Sequence, residues 1–95
     1  MSGAEEYELV VTPPAARALA EGLPEAVAAA VIEFLTTVLV GEPRRVGKPL
    51  RRELSGIYSA RRGTYRVLYR INEERERREV VVLRVEHRRD IYRSR

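Results

Sequence analysis

Basic and aromatic side chains in the second half of this 95-residue chain could supply the chemistry of metal-free RNA cleavage. That reaction needs a positioned 2′-hydroxyl, a group that removes its proton, cations that stabilise the extra charge on phosphorus, and an acid for the leaving oxygen. Side chains of these types are present at Arg61, Arg66, His87, Arg88 and Tyr92. Each of them also has an ordinary structural explanation, so composition and spacing alone indicate only an RNA-binding domain.

His87 is the only histidine of the chain, and histidine is the side-chain type whose unperturbed pKa lies near neutrality, so His87 is the natural proton carrier. A single histidine can equally be a structural, surface or RNA-contacting residue. The absence of cysteine excludes thiol catalysis, disulfides and thiolate metal sites. One histidine also leaves no histidine-rich metal cluster, so we expect neither a metal nor a cofactor.

Positive charge is concentrated in one half of the chain, whose overall net charge is +4. Residues 1–43 hold one basic and seven acidic side chains, a net charge of −6, and residues 44–95 hold seventeen basic and seven acidic, a net charge of +10. Sixteen of these seventeen cations are arginines, whose planar guanidinium pairs with phosphate through two hydrogen bonds and stacks on bases. The second half is therefore predicted to bind a polyanion.

Length and hydropathy indicate one small domain outside the membrane. A chain of 95 residues with 44% apolar side chains can form a single core, so we expect one domain over residues 1–95. The longest apolar run, residues 26–40, is interrupted by Glu33, Thr36 and Thr37 and is too short to span a membrane. Residues 1–8 are acidic, unlike a secretory signal, and we expect a cytoplasmic protein.

A strand and two helices are predicted before residue 40. Residues 7–11 are rich in β-formers and end at Thr12 and Pro13, an N-cap candidate and a proline suited to the first helical turn. A glycine and a proline separate the short first helix from a second one over about residues 24–39. The second helix presents an apolar stripe to a core, made of Val27, Val31, Phe34 and Val38.

Three β-rich segments follow a predicted loop over residues 41–54. Segments 57–62, 65–71 and 79–85 are joined by a turn at Gly63 and by the charged stretch 72–78, which predicts an antiparallel meander. Because the three strands follow the helices rather than alternate with them, the predicted fold class is α+β.

The middle strand of the meander should bury one face and expose cations on the other. Alternation places Tyr65, Val67, Tyr69 and Ile71 on one face and Arg66, Leu68 and Arg70 on the other. Two helices packed on the first face would leave the arginine-bearing face free. We expect that face and the C-terminal tail to form one concave basic surface that contains all five candidates for chemistry, His87 included.

Four motifs occur in order in the second half: G-K-P-L at residues 47–50, L-x-G at 54–56, R-x-G-x-Y-R-φ-φ-Y at 61–69 and H-R-x-D-φ-Y at 87–92, where φ is apolar. Together they resemble the RelE/ParE toxin superfamily, and within it the RelE-type toxins. The likeness covers nearly the whole chain and is weaker before residue 44. It implies the RelE-like toxin fold, an N-terminal strand and two helices packed on an antiparallel sheet, with a short C-terminal helix or tail.

The same resemblance implies a toxin of a type II toxin-antitoxin system that cuts mRNA in the ribosomal A site and so inhibits translation. It would be a metal-independent endoribonuclease, in which attack of the 2′-hydroxyl leaves a cyclic phosphate. The implied partners are mRNA, 16S rRNA and a RelB-like antitoxin that holds the toxin inactive.

Individual positions match family residues of known role. Arg66 matches an arginine that stabilises the transition state, Arg88 one proposed to act on the leaving group, and Tyr92 a tyrosine that stacks on the nucleotide. The matching basic substrate-binding positions are Arg61 and Arg62, and we count Lys48 with them as RNA-binding.

The general base stays open, because Ile57 and Ser59 stand where RelE sequences have two lysines that help to activate the attacking hydroxyl. His87 or Lys48 could take part of that role, or the chain could rely on electrostatic stabilisation. Two other functions share the fold: a ParE-like toxin that inhibits DNA gyrase, and an RNA-binding homologue with weakened catalysis. The combination of Arg66 with the C-terminal tail favours the nuclease.

Overall fold

Four of the five strands in the described sheet come from the basic half of the chain. The structure is a computed structural model, and it describes residues 7–74 and 77–87. The strands are β1 Glu8–Val11, β2 Lys48–Pro49, β3 Ile57–Arg62, β4 Tyr65–Glu74 and β5 Arg77–His87. They lie side by side in the order β1-β5-β4-β3-β2.

The predicted antiparallel meander of β3, β4 and β5 is confirmed. Arg62 pairs with Tyr65, which leaves Gly63 and Thr64 as a two-residue hairpin loop. Gly63 has a φ of +56° and Thr64 does not have a positive φ, a pattern of the type II′ turn that suits the twist of paired strands. The β4–β5 pairing runs further than predicted, to Glu74 opposite Arg77, because opposite charges face each other there.

The first strand joins the sheet in parallel with β5. Glu8 lies opposite Glu79 and Val11 opposite Val82. A parallel pair needs a long crossover connection, and the helices and strands between β1 and β5 supply it. The predicted α+β class is confirmed, with a sheet that is antiparallel from β2 to β5 and carries β1 as a parallel edge strand.

Two helical segments pack on one face of the sheet, here called the helix face; the other is the open face. The helices are α1 Pro13–Arg17 and α2 Glu25–Phe34. Each continues into a wider π-helical turn, Ala18–Gly22 after α1 and Leu35–Leu39 after α2. No helix within residues 7–74 and 77–87 is long and apolar enough to cross a membrane.

The π-helical turn after α2 changes which residues of the predicted stripe reach the core. Val31 and Phe34 are buried as predicted, but Val38 is 41% exposed. A π turn bonds residue i to residue i+5, so Leu39 rather than Val38 follows Phe34 onto the core side. Leu39 is fully buried, and the prediction of Val38 as a core residue is wrong for this reason.

The core lies between α2 and the helix face of the central strands. The Phe34 ring meets the Tyr65 ring edge to face, with 6.4 Å between their centroids. The largest fully buried side chains come from both layers: Val31, Leu35, Leu39, Val67, Tyr69, Val80 and Val82. The apolar face predicted for β4 is therefore the face that packs on the helices.

Residues 41–54, predicted as a loop, contain a short helix α3 (Pro43–Val46), strand β2 and a 3-10 turn (Arg52–Leu54). The buried Tyr69 hydroxyl donates a 2.6 Å hydrogen bond to the Pro43 carbonyl, which anchors α3 on the core. Burial raises the pKa of Tyr69, so this hydroxyl stays protonated and keeps its donor role. Contact with the core orders this segment, and local sequence signals do not report such a contact.

Gly47 passes over the same tyrosine so closely that no side chain fits. A Cβ at this position would overlap Tyr69 Oη and would lie 3.0 Å from the Ser59 carbonyl oxygen. The backbone of Gly47 is extended, with a φ of −129°, so glycine is needed for space and not for conformational freedom. The position of Lys48, the next residue, depends on this close approach.

Two substitutions test this contact, Gly47→Ala and Tyr69→Phe. Gly47→Ala should lower the free energy of unfolding by about 1–3 kcal/mol through overpacking. Tyr69→Phe should cost roughly 1–3 kcal/mol, because the buried Pro43 carbonyl loses its donor. The double variant should lose less than the sum of the two, since Phe lacks the Oη that the new methyl group would overlap. Urea unfolding measures all three, and strict additivity would contradict the contact.

Candidate functional site: a basic cleft on the open face

A cleft of about 390 Å³ opens where β2, β3 and β4 meet. Register places Lys48 opposite Ser59 and Arg61 opposite Arg66, and residues opposite each other share a face of the sheet. The side chains lie on the open face, away from the helices. The residues that line the cleft are Val46, Gly47, Lys48, Leu50, Ser59, Arg61 and Arg66.

Three cations converge in this cleft, with no carboxylate among the residues that line it. Lys48 and Arg61 are exposed, and Arg61 lies directly opposite Arg66 across the β3–β4 pair. Like charges in that position destabilise a sheet. A bound anion would relieve the repulsion, so the arrangement is that of a site for a polyanion such as RNA.

A carboxylate of β5 binds the Arg66 guanidinium on the side opposite to Arg61. Glu86 lies opposite Arg66, and its Oε1 accepts hydrogen bonds from Nε at 3.1 Å and from Nη2 at 2.6 Å. The two side chains are 32% and 24% exposed, so water screens this pair less than a surface ion pair. The position of Glu86 opposite Arg66 follows from the pairing register of β4 and β5, which local sequence patterns do not contain.

Two of the predicted site residues lie on the other side of the sheet. Arg62 and His87 are both opposite Tyr65, whose side chain packs in the core, so register places them on the helix face. The Arg62 guanidinium lies over the Phe34 ring at 4.6 Å from its centroid. His87 Nδ1 is enclosed and has no hydrogen-bond partner among the described residues. The expected surface that combines Arg66 with His87 is therefore wrong.

Alternation along β3 places Arg62 on the helix face, and a bulge in β5 is the physical reason that His87 lies there too. Tyr69 pairs with Val82 and Leu68 with Arg84, so Leu83 is an extra residue. Before the bulge, Val82 faces the helices; after it, the odd-numbered residues do, whereas strict alternation from Val82 would have placed His87 on the open face with Arg66. The Thr12 hydroxyl lies 2.9 Å from the Val82 carbonyl oxygen and 3.0 Å from that of Leu83. It therefore donates a hydrogen bond to the backbone carbonyl oxygens at the bulge.

Of the remaining predicted positions, two lie on the open face and two lie outside the described residues. Ser59 lines the cleft, and Ile57 lies opposite Arg70 on the same open face. A hydroxyl and an alkyl group thus occupy the two positions where the resemblance leads one to expect lysines. Arg88 and Tyr92 lie outside the described residues, so their predicted roles stay predictions.

Comparison with known proteins identifies the family. The family model described as the ParE toxin of the type II toxin-antitoxin system, parDE, matches residues 9–92. The chain belongs to the RelE/ParE toxin family. It is similar to toxin RelG of Mycobacterium tuberculosis, at 63% identity over 71 residues, which cover 75% of this chain and 79% of that protein. Toxin RelE of the same organism is 47% identical over 81 residues, 85% of this chain and 82% of that protein.

Solved structures agree with the fold of this RelE/ParE toxin. The toxin-antitoxin complex RelBE2 of M. tuberculosis matches with a TM-score of 0.81 and 55% identity, over 87% of this chain and 99% of that chain. The RelE-RelB complex of Pyrococcus horikoshii matches with a TM-score of 0.65 and 26% identity, over 87% and 96%. A YoeB/ParE toxin of Agrobacterium tumefaciens, with a TM-score of 0.64 and 17% identity over 84% and 97%, shows the fold alone. The chain is a type II toxin of the RelBE type.

Two neighbouring arginines on opposite faces give a matched test of the cleft. Arg61→Ala should weaken binding of single-stranded RNA and reduce the slope of log K against log salt by about 0.7, the loss of one phosphate contact. Arg62→Ala should leave binding unchanged and cost about 0.5–1 kcal/mol of stability, because it removes the contact with Phe34. Salt titrations of binding and urea unfolding measure the two effects. Equal losses of binding in both variants would contradict a site confined to the open face.

Proposed function

We propose that this toxin is a ribosome-dependent endoribonuclease that cleaves mRNA in the ribosomal A site and so inhibits translation. The observation that carries the proposal is the convergence of Lys48, Arg61 and Arg66 in one cleft on the open face. Cations so close together suit the phosphates of a single strand, and the similarity to toxins RelE and RelG favours RNA as that strand.

The reaction assigned to the cleft is attack of a 2′-hydroxyl on the adjacent phosphorus. The P–O5′ bond breaks, the leaving oxygen takes up a proton, and the product ends in a cyclic phosphate. Arg66, whose guanidinium is held by Glu86, stabilises the extra negative charge on the phosphoryl oxygens. Lys48 and Arg61 bind and orient the neighbouring phosphates, so the attacking and leaving oxygens stay in line.

Only one of the two candidates for the general base lines the described cleft. Of the two candidates for the general base, Lys48 lines the cleft and His87 lies on the helix face. Lys48 or a group of the ribosome therefore takes the proton of the 2′-hydroxyl. Following the resemblance, Arg88 acts on the leaving oxygen and Tyr92 stacks on the nucleotide.

A RelB-like antitoxin is the proposed protein partner. The RelBE2 complex of M. tuberculosis, which contains a chain 55% identical to this one, supports this assignment. Gyrase inhibition is the second candidate, because the matching family model is described by ParE. Purified toxin added to a translating extract, with RNA ends mapped, and to a gyrase supercoiling assay separates the two: new RNA ends without loss of supercoiling support the nuclease, and the reverse result contradicts it.

Arg66→Ala should slow cleavage on saturated ribosome complexes by about 100- to 1,000-fold, the usual loss when one preorganised transition-state cation is removed. Growth arrest on induction should disappear, while the melting temperature stays within a few degrees. Arg70→Ala is the matched control, because Arg70 is an exposed arginine four residues along the strand, on the same face and outside the cleft lining. Full activity of folded Arg66→Ala would remove Arg66 from the mechanism.

His87→Gln should leave the pH profile of the cleavage step unchanged, because His87 lies on the face opposite the cleft. A histidine general base would instead produce an inflection at about pH 6 to 7, which the variant would lose. Single-turnover rates on saturated ribosome complexes from pH 5.5 to 8.5, with ribosome binding measured separately, distinguish the two. Loss of an inflection in His87→Gln would return His87 to the role of proton carrier.

A further inference from the structure

We propose that Glu86 is a positioning residue that orients the Arg66 guanidinium toward the cleft before RNA binds. The inference rests on the proposed function, because its consequence is measured in the cleavage step. It assigns a role to a carboxylate that neither lines the cleft nor belongs to the motifs that carry the resemblance.

The geometry of the pair fixes the direction of the guanidinium. Nε and Nη2 of Arg66 both donate to a single oxygen of Glu86, so one edge of the planar group is turned toward β5. Arginine has five N–H donors, and this contact uses two of them. The two N–H groups of Nη1 and the second N–H of Nη2 are left for phosphate oxygens in the cleft.

The neighbours of Arg66 in the sheet make an anchor necessary. Arg61, Arg66 and Glu86 form one row across β3, β4 and β5. Arg61 repels the Arg66 guanidinium from one side, and Glu86 attracts it from the other. Without the carboxylate, a long side chain with several rotatable bonds would move away from Arg61 in many directions.

A positioning role has a kinetic signature that a simple counter-ion lacks. Glu86 carries negative charge close to where phosphates bind, so its removal should leave RNA binding unchanged or make it tighter. The same removal should slow cleavage, because Arg66 is no longer held where charge develops on the phosphoryl group. A simple counter-ion would change binding alone.

The decisive variants are Glu86→Ala, Glu86→Gln and the matched control Glu79→Ala. Glu79 lies on the same strand and the same face and carries the same charge, but it contacts Asn72 at 3.2 Å and Arg77 at 3.6 Å. Single-turnover cleavage is measured on programmed ribosomes over a range of toxin concentrations. This experiment gives the rate at saturation and the half-saturating concentration for each variant.

Glu86→Ala should cleave between about 10- and 100-fold more slowly at saturation, with a half-saturating concentration equal to or below that of the unmodified toxin. Glu86→Gln should recover most of the rate, since its amide oxygen still accepts from Arg66. Glu79→Ala should change neither parameter. An unchanged saturating rate in Glu86→Ala, or an equal loss in Glu79→Ala, would overturn the positioning role. If Glu86→Ala does not fold, a Glu86→Gln variant with less than a tenth of the normal rate would overturn it.

A second measurement separates this inference from the proposed function. If the unmodified toxin does not cleave mRNA on ribosomes, the proposed function fails, whatever the variants do. Nitrogen-15 relaxation of the Arg66 Nε–H group then still tests the anchor. This group should be ordered in the unmodified toxin and in Glu79→Ala and clearly more mobile in Glu86→Ala. Equal order in all three would overturn the inference on its own.

Discussion

The two-residue period of β4 is the constraint on which the site depends. Its alternate residues Tyr65, Val67 and Tyr69 are buried against the helices, so the residues between them must lie on the open face. A slip of one residue would bury Arg66 and expose the core side chains, at a cost far above the stability of a small domain. The packing of the helix face therefore fixes the position of Arg66 in the cleft, although α1 and α2 contribute no residue to the cleft lining.

The bulge in β5 determines which side chain of that strand lies opposite Arg66 on the open face. It moves the strand out of phase by one residue, so that Val85 is buried opposite Val67 and Glu86 reaches the open face opposite Arg66. With regular pairing of the same sequence, Val85 would lie opposite Arg66 and Glu86 would lie on the helix face opposite Tyr65. The bulge therefore places a carboxylate opposite Arg66, and the Thr12 hydroxyl donates to a backbone carbonyl oxygen at the bulge.

Much of the fold, and the placement of Arg61 and Arg66 on one face of the sheet, could be predicted from the sequence. The meander and the face of Arg66 follow from a strong local pattern, and alternation along β3 already separates Arg61 from Arg62. The bulge depends on how β4 and β5 pair, and the strand propensities of single residues carry no information about pairing. Its one local sign is the spacing of the buried valines, which changes from two residues, Val80 to Val82, to three, Val82 to Val85. The order in residues 41–54 was missed because it comes from contact with the core.

The backbone position of Lys48 in the cleft depends on contacts that the buried Tyr69 makes with Pro43 and Gly47. Tyr69 extends from the fully buried layer to the Pro43 carbonyl, and Gly47 crosses its hydroxyl without room for a methyl group. The lysine that follows is thereby set opposite Ser59, in the row of the open face next to that of Arg61 and Arg66. With Ser59 and Ile57 in place of lysines, the described cleft holds few groups that exchange protons, so the proposed cleavage depends mainly on fixed cations. Electrostatic stabilisation depends steeply on where charge is held, so the proposed reaction depends more on the fixed backbone of Lys48 and the held guanidinium of Arg66 than a reaction with a dedicated base would.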